Sequence, residues 1–170
     1  MRKILSFLLV GIVLFSAVQF TRQVEGDVNS AIPYLNTKDP NPWITMALLA
    51  AGESPNVDYL KTFSGTKATD YEAPILALAA AGIDPRTFPS ENFVTKLKSF
   101  YANNQIGDPN LLNDDIFGIL ALVAAGEPVS DGVIQGAKTF VLNHQNEHGS
   151  WSFAVGSNGD TNMTAMAPMA

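Results

Sequence analysis

Residues Phe140 to Phe153 read "FVLNHQNEHGSWSF", and two incompatible readings fit them. In one, His144, Glu147 and His148 form H-x-x-E-H, an inverted zinc-protease signature with two imidazole ligands and a carboxylate base. In the other, Phe140, Gln145, Gly149 and Trp151 are architectural: an aromatic on a helix face, then polar and aromatic groups that tie down the chain beyond the helix end. Gly149 directly follows His148. Glycine there predicts that the helix has stopped, because it takes the left-handed conformation that closes a helix. The two histidines then fall in a connection between elements, where exposed polar residues belong. No metal site is expected, and the architectural reading is the one to test against the rest of the chain.

Working outward, the segment recurs in weakened form. "LKTF" (60–63), "LKSF" (97–100) and "AKTF" (137–140) share a pattern, and Phe100 is followed by Gln105 at the offset that separates Phe140 from Gln145. Phe93, Leu97, Phe100 and Tyr101 have helical spacing, and Val133, Ala137, Phe140 and Val141 repeat that stripe. Each stripe predicts an amphipathic helix with one face in water. Between these copies lie "ITMALLAAG" (44–52), "PILALAAAG" (74–82) and "GILALVAAG" (118–126), Ala- and Leu-rich runs ending at Gly52, Gly82 and Gly126. Glycine past an apolar run caps a helix, and Pro55, Pro85 and Pro128 forbid its resumption. Thr69 and Glu72 have capping-box spacing ahead of the second run. Asp70 and Asp114 precede their glycines by the same interval, and Asp160 opens the next run. All three are read as helix caps, stabilised by backbone N–H groups and the positive end of the helix dipole. Without strand alternation of any length, the fold is expected to be all-α, with near-apolar inner helices and amphipathic outer ones in two layers.

Composition sets limits on partners. The chain has 170 residues, 10 basic against 16 acidic, a net charge of −6 and no cysteine. An acidic chain lacks the basic face that nucleic acid requires. Without cysteine there is neither a disulfide framework nor a thiolate metal site. Arg2 and Lys3 precede "ILSFLLVGIVLFSAV", a basic start and an apolar run that read as an export signal or N-terminal anchor over residues 1–20. Residues 21–39 read as a linker and 40–170 as the folded domain, working outside the cytoplasm, secreted or anchored at the cell surface.

The order Ala137, Phe140, Val141, Gln145, Gly149, Trp151 resembles the QW motif of squalene–hopene cyclases and related terpenoid cyclases, with Gly136 standing where that motif usually has a basic residue. "TDYEAPILALAAAGIDPR" (69–86) and "GSWSFAVGSNGDTNMTAMA" (149–167) look like the toroid domains of secreted and cell-surface proteins in the terpenoid-cyclase and protein-prenyltransferase superfamily. The resemblance covers residues 40–170. It implies an α/α toroid, with Gln145 and Trp151 fastening an outer helix to the next repeat. About six hairpins close such a ring. Three and the start of a fourth are present, so an incomplete ring is expected, its open end covered by further C-terminal repeats or by a partner.

The family's two chemistries test poorly on these residues. A prenyltransferase-type zinc site uses Asp, Cys and His, and this chain has no Cys. The cyclase acid is the middle Asp of a D-x-D-D-T-A segment. The matching stretch is "DTNMTA", in which Asp160, Thr164 and Ala165 agree but Asn162 and Met163 replace the acids. No catalytic residue, cofactor or metal is therefore assigned. The resemblance implies a non-catalytic extracytoplasmic binding or interaction module, for a small hydrophobic or cobalamin-like ligand or a cell-envelope component. The alternative is a terpenoid cyclase or prenyl-handling enzyme whose catalytic residues lie outside this sequence.

Overall fold

The computed structural model describes residues 27–170, so the export-signal segment and the first part of the linker lie outside the described residues. Those described are mostly helical, with seven α-helices and one two-stranded sheet. Helix α1 (Val28–Asn36) belongs to an N-terminal unit ending at Thr37, and its N-cap Asp27 accepts from the Ser30 N–H. Residues from Lys38 onward form a second unit. It contains α2 (Pro42–Ala50), a 3-10 turn (Asp58–Thr62), α3 (Ala68–Ala80), α4 (Phe93–Lys98), β1 (Tyr101–Ala102), β2 (Gln105–Ile106), α5 (Leu112–Ala124), α6 (Gly132–Asn143) and α7 (Thr161–Met166).

The Ala-rich helices stand side by side: α2 packs on α3, α3 on α5 and α5 on α7, while α4 packs on α3 and α6 on α5. Helices α3 and α5 are buried on nearly every side, as their apolar composition requires. Helix α2 departs from that expectation. It has a helical neighbour within this unit on one side only, and Trp43, Ala47 and Ala50 remain exposed.

The three glycines end their helices identically. Gly52, Gly82 and Gly126 have φ of +85°, +71° and +82°. In each case the glycine N–H and the one after it bond back to the last turn, as Gly82 to Ala79 O (3.0 Å) and Ile83 to Leu78 O (2.9 Å). This paired pattern satisfies carbonyls that a helix end would otherwise leave open. A Cβ at Gly82 would touch nothing within 4 Å, so only the backbone opposes a side chain there. Gly82→Ala is expected to lose about 1 kcal/mol in urea unfolding with an unchanged m-value, the cost of a left-handed alanine.

The amphipathic elements follow the sequence unevenly. Helix α6 buries Ile134, Ala137 and Val141 and exposes Gln135, Lys138 and Thr139, as its spacing predicts. The first copy, "LKTF", is only a 3-10 turn that buries Leu60. The second is a six-residue helix that stops at Lys98, and Tyr101 lies in a strand instead of on the helical stripe. The hairpin that follows is a correction to the strand-free expectation. Asn103 and Asn104 take φ of +53° and +62° and turn β1 into β2, with Tyr101 opposite Ile106. Two asparagines tolerate the left-handed region that a tight hairpin turn demands. Gly136 on α6 makes room for this hairpin, since a Cβ there would sit 2.0 Å from the Tyr101 hydroxyl.

The core has two parts. Phe63, Tyr71, Phe88, Phe93 and Phe100 form a chain of ring contacts with centroids 5.5–6.0 Å apart, joined by Leu60, Ile75, Leu78, Leu97 and Leu122. A second cluster holds Leu112, Ile116, Val141, Trp151, Met163 and Ala167. Ion pairs lock the glycine-capped ends: Arg86 donates to Ala125 O (2.6 Å) and to Glu127, and Lys98 bonds Glu127 and Asp131 (2.8 Å). The hydrogen bonds from Lys98 and Arg86 hold the Glu127 carboxyl below the usual range.

Candidate functional site: buried carboxylates and an apolar helix face

The proposed caps divide into two kinds. Asp160 is the N-cap of α7, accepting from the Met163 N–H at 2.9 Å. Asp70 and Asp114 sit one turn further in and reach backwards. The Asp70 carboxylate accepts from the Thr66 and Lys67 N–H groups (2.8 and 3.0 Å), and Asp114 from the Asp108 N–H (2.9 Å). Both hold the preceding loop on the helix start. The Thr69–Glu72 capping box does not form. Thr69 lies inside α3, and Glu72 turns into the protein, where it is 4% exposed.

Glu72 therefore belongs to a cluster that sequence reasoning missed. Asp114 and Asp115 on α5 are also buried, and Asp115 accepts from the Ile106 N–H at 2.8 Å. Glu72 Oε1, Asp114 Oδ1 and Asp115 Oδ2 are buried without a hydrogen-bond partner. Burial penalises the charged form of each, and the neighbouring carboxylates add repulsion. Glu72 is pushed up to about 9, by burial first and then by Asp114 and Asp115. Asp115 rises to about 7, chiefly by burial and against its bond from Ile106. Asp114 also rises, mainly by burial. At neutral pH Glu72 is thus a protonated acid between two helices. The sequence signal was available: Asp114-Asp115 is an acidic pair immediately before an apolar run, one more acid than a cap needs.

Phe140, Gln145, Gly149 and Trp151 lie in and beside one loop, with partners other than those expected. Trp151 is buried, and its indole N–H donates to Val141 O on α6 at 2.9 Å. Its backbone N–H and carbonyl both engage the Thr164 hydroxyl of α7 (3.0 and 3.2 Å). Trp151 thus ties α6 to α7. Gln145 differs from expectation: its amide donates to Gly149 O (2.9 Å) inside the same loop, while the indole of Trp151 bonds the α6 carbonyl. Gly149 supplies φ +80° to that loop, and Phe140 is half-buried against the second core cluster. Gln105 repeats the local role by donating to Asp108 O.

Helix α6 ends at Asn143, so His144 and His148 share no helical face. His144 Nδ1 bonds Phe140 O (2.8 Å) and His148 is exposed. Among the described residues no group of three or more His, Asp or Glu is placed to hold a metal ion. In "DTNMTA", Asn162 points to solvent and Met163 fills the second core.

A second candidate surface is apolar. Trp43, Ala73 and Phe117 each precede their terminal glycine by nine residues, and Met46, Leu76 and Leu120 by six. These positions are exposed or half-buried in all three helices. The Trp43 and Phe117 rings meet edge to face at 6.0 Å although their helices flank α3. Alanine at position 73 leaves room for that contact. Comparison with protein-family models, curated proteins and solved structures returned no match to this chain.

Proposed function

We propose that residues 40–170 form part of an α/α toroid of the terpenoid-cyclase and prenyltransferase type. In this reading the domain works outside the cytoplasm as a non-catalytic module that binds an apolar ligand. The observation that carries it is the register of Trp43, Met46, Leu76, Phe117 and Leu120 on one side of three adjacent Ala-rich helices. Trp43 is 57% exposed, and an exposed tryptophan against a second ring is a surface that gains by being covered. The expected apolar run at residues 1–20 supports export, and no helix among the described residues is long and apolar enough to cross a membrane.

The test uses the neutral probe N-phenyl-1-naphthylamine, with cyanocobalamin as a second arm. Saturable binding with quenching of Trp43 emission is expected, weakened about tenfold in Trp43→Ala by loss of one aromatic contact. Binding by neither ligand, or equal binding to the variant, would overturn the proposal.

A second reading, an alkene-protonating cyclase, has one observation in its favour. Glu72 follows Asp70 by two residues, as Asn162 follows Asp160, and burial keeps it protonated. Turnover of a squalene-type polyene that Glu72→Gln abolishes without unfolding the protein would establish that reading over the first.

A further inference from the structure

Asn158-Gly159 is the one Asn-Gly pair in the sequence. It lies in the loop between Trp151 and the N-cap of α7, and both residues are exposed. The chain is pinned on either side of the pair. Before it, the Val155 N–H bonds Asn110 O (2.9 Å) and the Ser157 N–H bonds Ala154 O (3.2 Å). After it, the Asp160 N–H bonds Trp151 O (2.8 Å). Between these anchors, neither the Asn158 side chain nor the Gly159 N–H has a hydrogen-bond partner among the described residues.

An asparagine amide carbon is an electrophile, and the next backbone nitrogen can close a five-membered ring on it. A side chain on the next residue, a bonded N–H or a regular backbone opposes that closure, and glycine removes the first obstacle. Glycine is demanded here by packing, since a Cβ at position 159 would lie 2.2 Å from Ser150 Oγ. Asp131-Gly132, the one Asp-Gly pair, supplies the contrast. Its carboxylate is held by the Val133 N–H (2.9 Å) and by Lys98 (2.8 Å), and Gly132 is the first residue of α6.

We infer that Asn158 is a site of spontaneous modification, converting to isoaspartate through a cyclic imide and thereby loosening the junction of Trp151 with α7. The Gly159 nitrogen gives up its proton and bonds Asn158 Cγ. The Cγ–Nδ2 bond breaks, and Nδ2 leaves as ammonia. Water, the sole co-reactant, then opens the imide at the main-chain carbonyl, so the chain runs on through Cβ and Cγ. The extra methylene enters the short span between Ser157 and Asp160. Gly159 then slides against Ser150, or the Asp160 N–H leaves Trp151 O. The new carboxylate by itself suits a helix start, so chain length and not charge weakens the junction.

The experiment holds the folded protein in neutral buffer below its thermal midpoint for several weeks. Samples are followed by peptide mass mapping, with a protein-isoaspartate methyltransferase to label the product. The peptide carrying Asn158 is expected to gain about 1 Da and to take the methyl label. It should do so about tenfold faster than any other asparagine of the described residues, while Asp131 stays unlabelled. The thermal midpoint of the labelled protein should fall by about 3 °C, the shift expected when one capping interaction is lost. Asn158→Gln, whose ring would have six members, should neither gain mass nor lose stability on ageing. Freshly prepared Asn158→Asp, with the charge but not the added length, should unfold at the parent's midpoint. The inference is overturned if Asn158 converts no faster than the other asparagines, or if Asp131 is labelled as fast. It is equally overturned if the labelled protein keeps the parent's midpoint, or if fresh Asn158→Asp already shows the fall.

Discussion

Trp151→Ala is expected to lose about 3–5 kcal/mol of folding stability, the range for deleting a buried tryptophan side chain. The residue is 8% exposed and fills the second core between Leu112, Ile116, Val141 and Met163. It also carries the connection between α6 and α7, through the indole bond to Val141 O and the backbone bonds to Thr164. Trp151→Phe separates these effects. The ring is largely kept, and Val141 O still accepts from the His144 N–H. The lost indole bond should then cost about 1 kcal/mol, apart from a smaller packing loss. Gln145→Ala, in an exposed loop with a local partner, should change stability by no more than about 0.5 kcal/mol. Urea unfolding followed by far-ultraviolet circular dichroism compares all three without relying on tryptophan emission. A Gln145→Ala loss equal to that of Trp151→Ala would restore the staple expected from the QW resemblance.

Stability should also fall as pH rises, and Glu72→Gln should remove much of the slope. Glu72 is raised from 4.5 to about 9 in the folded protein. Between those values the folded state holds a proton that the unfolded chain has released, so each step up in pH favours unfolding. The contribution is fully present below about pH 4.5 and is lost progressively until the folded group ionises near 9. At pH 7 the loss from this one group is about 3 kcal/mol. Glutamine stays neutral throughout. Glu72→Gln should therefore match the parent near pH 4.5 and exceed it by about that amount at pH 7. Asp115, raised to about 7, adds a drop of the same sign that ends earlier. Asp70, Asp114 and Asp115 are the charges that act on Glu72, and Lys67 acts on Asp114. Urea titrations from pH 4.5 to 9 give the measurement. A parent whose stability rises over this window, or a variant with the parent's slope, would refute the buried-acid account.

Local chemistry was the readable part of this chain. Glycine after an Ala-Leu run can only mean a helix end, because no other residue takes the left-handed cap so cheaply. The α6 stripe was legible for a similar reason, since period and length agree over twelve residues. The shorter copies were not. Phe93 to Tyr101 fits a helical stripe on paper, yet Asn103-Asn104 supplies a tight turn, and pairing Tyr101 with Ile106 draws the chain out of the helix. Glu72 was misread because capping-box spacing describes which residues lie near a helix start. It does not say which way a side chain points once another helix packs alongside.

Thus the sequence by itself determined where the Ala-rich helices stop, that the described residues are mostly helical, and which residue caps α7. Each of those depends on backbone conformations and hydrogen bonds within a few residues. Tertiary structure alone decided that three carboxyls share one buried interface, that Trp151 and not Gln145 bonds the α6 carbonyl, and that Trp43 reaches Phe117 past Ala73. Those outcomes depend on which helices become neighbours. Burial and the groups brought alongside then set the charge and partner of each.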